Sequence, residues 1–259
     1  MRLRRIMEHV RTLNWVAVAV DFIIVVAGVF IAMQVSNWNG ARVENKRAAE
    51  FKQRLLGDLR GEDKVLEATI DYYRQVSASA ETTLNALMMR QASSNEALLI
   101  SAYRASQYAW APNLRATFDE LVATGDLSLI HDAKLRDIAV AFYTGEAFEI
   151  SDVEGRQSRY REAFRMTIAP ETYRAITKAC GDRPDAANGA NISYVCKLDL
   201  PQADIDDAAE ALRANKELSA LLRLRIAELD NELDSFVTVK DFLESSLGDY
   251  EKSARRRSD

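Results

Sequence analysis

The sequence predicts an all-α protein in which a single N-terminal transmembrane helix is followed by a long-helix bundle with one Cys-flanked loop. Three observations lead to this class. One long apolar run lies near the N-terminus, the C-terminal part repeats its apolar residues every seven positions, and only ten glycines and four prolines occur in 259 residues. Scarce glycine and proline leave few places where a helix must end. The net charge of −5 also lacks the basic excess that is typical of nucleic-acid-binding proteins.

The first predicted element is the transmembrane helix, which is apolar from Trp15 to Val35 except at Asp21 and Gln34. As a helix this run is about 31 Å long, which matches the hydrocarbon core of a bilayer. A cleaved signal peptide is the alternative, but its apolar region is shorter, and no A-x-A-like site follows this run. We therefore expect an uncleaved anchor. The predicted organisation is an N-terminal arm (1–14), the transmembrane helix (15–38), a helical body (39–254, with a loop at 180–202) and a basic tail (255–259).

One face of this helix carries a carboxylate together with small residues. At 100° per residue, Ala17, Asp21, Gly28 and Ala32 fall within an arc of about 60°. Gly28 and Ala32 form a small-xxx-small pair that permits close approach of another helix. An ionised carboxylate at the centre of a membrane helix costs about 2.5–3.5 kcal/mol on insertion scales. We predict a helix–helix contact in which Asp21 is hydrogen-bonded or paired. A snorkelling aspartate in an ordinary anchor is the alternative.

The two cysteines of the chain flank the segment that is richest in glycine, proline and asparagine, CGDRPDAANGANISYVC. Such spacing predicts a Cys180–Cys196 disulfide formed in an oxidising compartment, with two separate buried thiols as the alternative. Four arginines precede the span and favour a cytoplasmic N-terminus, although basic residues also follow it. The disulfide therefore decides the expected orientation, with the N-terminus cytoplasmic and the body periplasmic or extracellular.

The body shows helical spacing throughout. Asn113 and Gly125 are predicted to begin and end a short helix, and Asp132 to begin a long one that continues to Phe164. Before them, apolar residues at helical spacing continue the first helix (Leu55, Leu59, Leu66, Ile70 and Tyr73). The short helix carries an apolar stripe (Leu114, Phe118, Leu121 and Val122).

The last helix has the clearest pattern, a two-position heptad. One position is Leu222, Leu229, Phe236, Leu243 and Tyr250, and the other is Ile226, Leu233, Lys240 and Leu247. A homomeric coiled coil would produce this pattern. An intramolecular bundle seam is the preferred interpretation, because other long helices are available to receive it.

The sequence offers little catalytic chemistry. His9 and His131 are the two histidines, and no H-E-x-x-H, C-x-x-C, G-x-S-x-G or Walker motif occurs. A structural histidine is the preferred interpretation of His131, beside Asp132 at a predicted helix start. We expect no enzyme activity, no catalytic residues, no metal and no cofactor.

Two segments resemble an uncharacterised bacterial family of single-pass helical membrane proteins. DFIIVVAGVFIAMQVSNWN resembles the family's span, and TFDELVATGDLSLIHDAKLRDIAVAFY resembles its second block. The matching positions are Asp21, Gly28, Gln34, Asn37, Trp38 and Asn39 in the first, and Thr117, Phe118, Glu120, Leu121, Gly125, Leu129 and Ile130 in the second. The resemblance implies a helical protein anchored in the bacterial inner membrane and supplies no activity.

Three functions follow as hypotheses. The first is a non-enzymatic accessory or scaffold protein whose span docks on a membrane-protein partner. The second is a ligand-sensing bundle, with a site near Tyr103, Trp110 and Phe118, that needs a signalling partner. The third is a homo-oligomeric stalk, in which the span docks on a second copy. In each, the bilayer is a partner, and Trp15, Gln34, Asn37, Trp38 and Asn39 form a membrane-surface motif at the headgroup layers.

Overall fold

The computed structural model describes residues 15–108, 114–185, 189–191 and 196–256. Within them the protein is helical apart from one short antiparallel ribbon, which confirms the all-α class. The chain divides into two compact units, Met1–Gln53 and Arg54–Asp259. The first unit contains the apolar run, and the second contains the disulfide and most of the helices.

Helix α1 covers Trp15–Leu87, 73 residues in all. No proline occurs in this stretch, so every interior residue keeps its backbone donor. Its end is marked by Met89, whose φ of 54° departs from helical geometry. The apolar residues predicted at helical spacing in its second half are all buried in the second unit (Leu55, Leu59, Leu66, Ile70 and Tyr73).

Shorter helices follow α1 through most of the second unit. They are α2 (Asn95–Ala105), α3 (Ala116–Thr124), a 3₁₀ turn (Asp126–Leu129), α4 (Ala133–Tyr143), α5 (Ala147–Arg156), α6 (Arg159–Thr167), α7 (Pro170–Cys180) and α8 (Gln202–Ala214). The final helix, α9, covers Leu218–Arg255. Strands β1 (Arg183–Asp185) and β2 (Gly189–Asn191) pair antiparallel within the predicted loop, with Pro184 opposite Ala190.

The predicted boundaries of α3 are met at its C-terminal end. Gly125 has a φ of 73° and ends the helix in the left-handed conformation that glycine adopts without a steric penalty. Of the predicted stripe, Phe118 and Leu121 are buried, whereas Leu114 and Val122 are 38% and 53% exposed. The predicted N-cap residue, Asn113, lies outside the described residues.

The single long helix predicted from Asp132 to Phe164 is wrong, because three helices, α4, α5 and α6, occupy this segment. The first break falls at Thr144 and Gly145, where glycine weakens a helix by about 1 kcal/mol relative to alanine. Because the apolar residues keep their helical spacing on both sides of the break, the sequence pattern does not show where the helix ends. Apolar residues at helical spacing in this segment are buried, but they belong to α4 and α6 rather than to one continuous helix (Leu135, Ile138, Phe142, Tyr160 and Phe164).

Helix α9 packs antiparallel to the part of α1 that lies in the second unit. Arg60 of α1 donates to Glu251 at 2.6 Å, and the ring of Tyr73 stacks on Phe236 with centroids 5.6 Å apart. All five residues of the first heptad position are buried within the chain (Leu222, Leu229, Phe236, Leu243 and Tyr250). These contacts confirm that this position of the heptad forms an intramolecular seam.

Candidate functional site

The apolar part of α1 is long enough to cross a membrane, and none of its most apolar window is buried by the described chain. Large side chains between Val18 and Val35 are 42–69% exposed. Exposure of this extent would be unfavourable in water but suits a helix surrounded by lipid. The structure thus supports a membrane-spanning helix at this position.

The predicted contact face of the span is uncovered. Asp21, Gly28 and Ala32 are all exposed, and a Cβ atom added to Gly28 would meet nothing within 4 Å. The side chain of Ala17 lies outside the described residues. Because the helix is continuous, Asn39 follows Asp21 by five turns and lies on the same side. The face therefore carries one polar side chain near each end of the apolar run.

The membrane-surface motif is also exposed. Trp38 is 66% exposed, and the guanidinium carbon of Arg42 lies 6.0 Å from the centroid of its ring. Gln34, Asn37 and Asn39 are exposed beside it, while the Trp15 side chain lies outside the described residues. An indole ring with a neighbouring arginine is typical of the headgroup layer, where one side of the contact is apolar and the other is charged.

The matching positions of the second family-like segment lie in α3, the 3₁₀ turn and the residue that follows it. Its members divide into two groups. Five are buried and contribute to the core of the second unit (Thr117, Phe118, Leu121, Leu129 and Ile130). Glu120 is exposed and accepts a hydrogen bond from Arg54 of α1 at 2.6 Å. With Gly125 ending the helix, this segment combines a packing face with a polar contact to α1.

A pair of carboxylates on α1 holds the N-terminal end of α3. Asp58 Oδ2 accepts the backbone N–H of Thr117 at 3.3 Å, and Glu62 Oε1 accepts the backbone N–H of Leu114. The residue at the N-cap position of α3 itself makes no side-chain capping bond. Asp58 and Glu62, hereafter the carboxylate pair, therefore accept backbone N–H groups at the start of α3, as a local N-cap side chain usually does.

Sequence reasoning missed the carboxylate pair. Arg54, Asp58 and Glu62 repeat every four residues on one face of α1, and all three contact the α3 segment. The repeat is visible in the sequence, but charged residues at this spacing usually form a solvated helix face. Glu62 instead has no exposed surface.

Burial dominates the electrostatics of Glu62. It raises the pKa of this carboxyl from 4.5 to about 7, opposed by the hydrogen bond from Leu114 and supported by the negative charge of Asp58. Oε2 of Glu62 is buried and has no hydrogen-bond partner among the described residues. An ionised carboxylate in this position lacks full compensation.

A second buried charge cluster lies along α9. Nη1 of Arg225 is 3.3 Å from Glu232 Oε1 and 3.7 Å from Glu228 Oε2, and Nη2 donates to the carbonyl of Gln107 at 3.3 Å. Arg225 is 1% exposed and Glu232 is 4% exposed. Burial raises the pKa of Glu232 to about 7, and Arg225 opposes this shift. Unlike Glu62, Glu232 has a buried cation directly beside it.

The predicted disulfide is present between Cys180 and Cys196. The loop that it closes is attached to the helices at both ends. Tyr72 of α1 donates to Asp182 Oδ2 at 2.6 Å, and Glu96 of α2 accepts the backbone N–H of Leu198 at 2.8 Å. Asp182 is half-buried, and this burial raises the pKa of its carboxyl.

The predicted ligand site near Tyr103, Trp110 and Phe118 has little support. Tyr103 packs against Phe164 and Tyr173, whereas Phe118 stacks on Tyr143, so the two rings belong to different aromatic groups. Trp110 lies outside the described residues. A groove of about 420 Å³ runs between α1 and α2 (Ala78, Ser79, Thr82, Ala97, Ile100, Ser101, Arg104 and Cys196). Several of its lining residues are exposed, so it is shallow.

Among the residues that the structure describes, no group of three His, Cys, Asp or Glu side chains is arranged to hold a metal ion. His131 is exposed at the start of α4. Comparison of the chain with family models, with curated proteins and with solved structures found no match. The resemblance to a bacterial family of single-pass proteins therefore stays a prediction.

Proposed function

We propose that the protein is a non-enzymatic membrane accessory or scaffold protein whose span docks on a partner helix. The docking face consists of Ala17, Asp21, Gly28 and Ala32. The partner helix places a hydrogen-bond donor or a cationic side chain beside Asp21 and packs closely against Gly28. The second unit is the part of the protein that this docking presents outside the membrane.

Exposure of Asp21 is the observation that carries the proposal. It is exposed on an otherwise apolar helix, and nothing in the described part of the chain covers the face on which it lies. A carboxylate in lipid costs about 2.5–3.5 kcal/mol at the centre of a span and less towards its ends. A donor on a partner helix removes that penalty, and the small residues bring the partner close enough to reach it.

The protein's place in the cell belongs to the same proposal. We infer a bacterial inner-membrane location with a cytoplasmic N-terminus and a periplasmic body. The Cys180–Cys196 disulfide supports an oxidising compartment for the second unit, because structural disulfides seldom persist in the cytosol. The arginines before the span support a cytoplasmic arm.

The test is co-purification of the full-length protein in mild detergent, with its associated proteins identified by mass spectrometry. The wild type is expected to return a foreign membrane protein at a fixed ratio, and Asp21→Leu is expected to lose it. Asp21→Asn separates the two kinds of contact, because the amide keeps a hydrogen bond and removes the ion pair. Val26→Leu is the matched control, since residue 26 lies on the opposite side of the helix.

Two results would contradict the docking face, and a third would change the identity of the partner. The partner could remain bound to Asp21→Leu, or it could be lost equally from Val26→Leu. Recovery of the protein alone, at a defined multiple of its own mass, would instead identify the partner as a second copy and favour the homo-oligomeric stalk.

A further inference from the structure

We propose that the contact between Glu62 and the N-terminal end of α3 is a proton-controlled latch, which closes on acidification and loosens as the pH rises through neutrality. The latch consists of the carboxylate pair, Asp58 and Glu62, and the backbone donors of Leu114 and Thr117. It lies entirely within the second unit and is independent of how the span docks.

The geometry makes the latch the main polar attachment of this end of α3. Both backbone donors are taken by side chains of α1. On the other side, the hydroxyl of Tyr143 in α4 donates to the carbonyl of Leu114 at 3.0 Å. Leu114 also packs closely on α1, since a Cβ atom added to Gly61 would lie 2.5 Å from its Cδ1. Movement of Glu62 away from this position would release the start of α3 from α1.

The charged groups around Glu62 do not neutralise it. Asp58, one turn earlier on α1, is also acidic, and Arg115 on α3 is paired with Asp119 at 2.9 Å. Arg54 is paired with Glu120. On α9, Lys240 lies 3.7 Å from Asp63 and 3.1 Å from Glu244. Tyr143 is the titratable group that faces the site from α4, and burial raises its pKa.

Protonation therefore decides how well Glu62 fits its site. When it is neutral, burial penalises it much less than the anion, and Oε1 still accepts the N–H of Leu114. When it is ionised, one oxygen of a buried anion has no partner and Asp58 repels it. The pKa is about 7 in the closed state and 4.5 for an ordinary glutamate. Closure is fully favoured below the ordinary pKa and is lost as the pH rises to 7.

Hydrogen exchange measured by mass spectrometry on the full-length protein in nanodiscs tests the latch. The protection factor, which is corrected for the intrinsic pH dependence of exchange, is followed for peptides that contain α3 and for peptides that contain α6. Between pH 6 and pH 8, linkage with these two pKa values predicts about a tenfold loss of protection in α3. Protection of α6, which packs on α9, has a pH dependence of its own, because the pKa of Glu232 on α9 is also about 7. The latch is therefore measured as the part of the α3 change that Glu62→Gln removes.

Two variants examine the cause. Glu62→Gln keeps the acceptor and the shape but cannot ionise, so α3 protection is expected to become independent of pH. Asp58→Asn keeps the acceptor for Thr117 and removes the neighbouring negative charge, so the midpoint of the transition is expected to move to lower pH. Glu96→Gln is the matched control, because Glu96 also accepts a backbone N–H from a distant segment, and it should leave the α3 transition unchanged.

The latch is wrong if α3 protection in the wild type is constant from pH 6 to pH 8. It is also wrong if Glu62→Gln keeps the wild-type slope. Should Glu62→Gln fail to fold, the Asp58→Asn midpoint decides: an unchanged or higher midpoint overturns the assignment to Glu62.

Discussion

Replacement of Arg225 by methionine should be among the most damaging single changes in the second unit at pH 8. Methionine keeps much of the length of the side chain but removes the charge. Glu232, which is 4% exposed, would then be a buried anion without its cation, and Glu228 would lose its neighbour at 3.7 Å. Breaking a buried pair by removing one partner typically costs about 3–5 kcal/mol. We expect a loss of unfolding free energy in that range.

The cost should depend on pH in a defined direction. With Arg225 present, the pKa of Glu232 is about 7, and Arg225 is the group that lowers it. Removing Arg225 raises this pKa further, so Glu232 is neutral in the variant at pH 5 and ionised only at higher pH. A raised pKa in the folded state means that stability is retained at low pH and lost as the pH rises. We therefore expect the variant to lose much less stability at pH 5 than at pH 8.

The assay is urea unfolding of the full-length protein in nanodiscs, followed by ellipticity at 222 nm. The span stays helical in lipid, so the transition reports the second unit. Arg225→Met combined with Glu232→Met replaces the main pair with apolar side chains of similar length and should recover most of the loss at pH 8. Equal costs at pH 5 and pH 8, or a double variant less stable than Arg225→Met, would refute the reasoning.

Two further predictions use the same unfolding assay. Gly155→Ala should lower the free energy of unfolding by about 1–3 kcal/mol, because the added Cβ would lie 2.5 Å from Cβ of Tyr108. Gly248→Ala should raise it by about 0.5–1 kcal/mol, because nothing lies within 4 Å of the added Cβ. The reverse order of the two variants would contradict the packing. Replacing both Cys180 and Cys196 by serine should cost about 3 kcal/mol for the loop that the bridge closes, and reduction of the wild type should reproduce this loss. A wild type indifferent to reductant would exclude a stabilising bridge.

The parts of the fold that sequence predicted well are those set by periodicity within one helix. The span follows from its apolar length, and the seam of α9 follows from a seven-residue repeat whose five members are all buried. Gly125 was predictable because glycine adopts the left-handed conformation of a helix end without a steric penalty. The breaks between α4, α5 and α6 were not, since amphipathic spacing continues across short connectors.

Contacts between helices were the other failure, and the reason is physical. Whether Glu62 lies in water or against Leu114 depends on the register between α1 and α3, which neither helix specifies alone. The same holds for Arg225, which occupies a charged position next to a hydrophobic seam, is buried, and donates to the carbonyl of Gln107 from a distant segment. Polar residues at helical spacing predict a solvent-exposed face, and only the position of the neighbouring helix shows that they are buried.

Asp21, Glu62 and Glu232 separate into two kinds of carboxylate. Glu232 lies beside Arg225, which offsets part of the cost of its burial, and neutralising it leaves Arg225 with Glu228 at 3.7 Å as its remaining carboxylate. The role of Glu232 is therefore structural. Asp21 and Glu62 form no ion pair in the described part of the chain, and Arg115 offsets the burial of Glu62 only in part. A neutral side chain at either position would avoid a penalty. Neutralising a carboxylate that stabilises the fold lowers the stability of the protein. Glu62→Gln should not lose stability at pH 8 in the urea-unfolding assay. If it is at least as stable as the wild type there, Glu62 serves the proton response rather than the fold, whereas Asp21 is tested by co-purification of the partner.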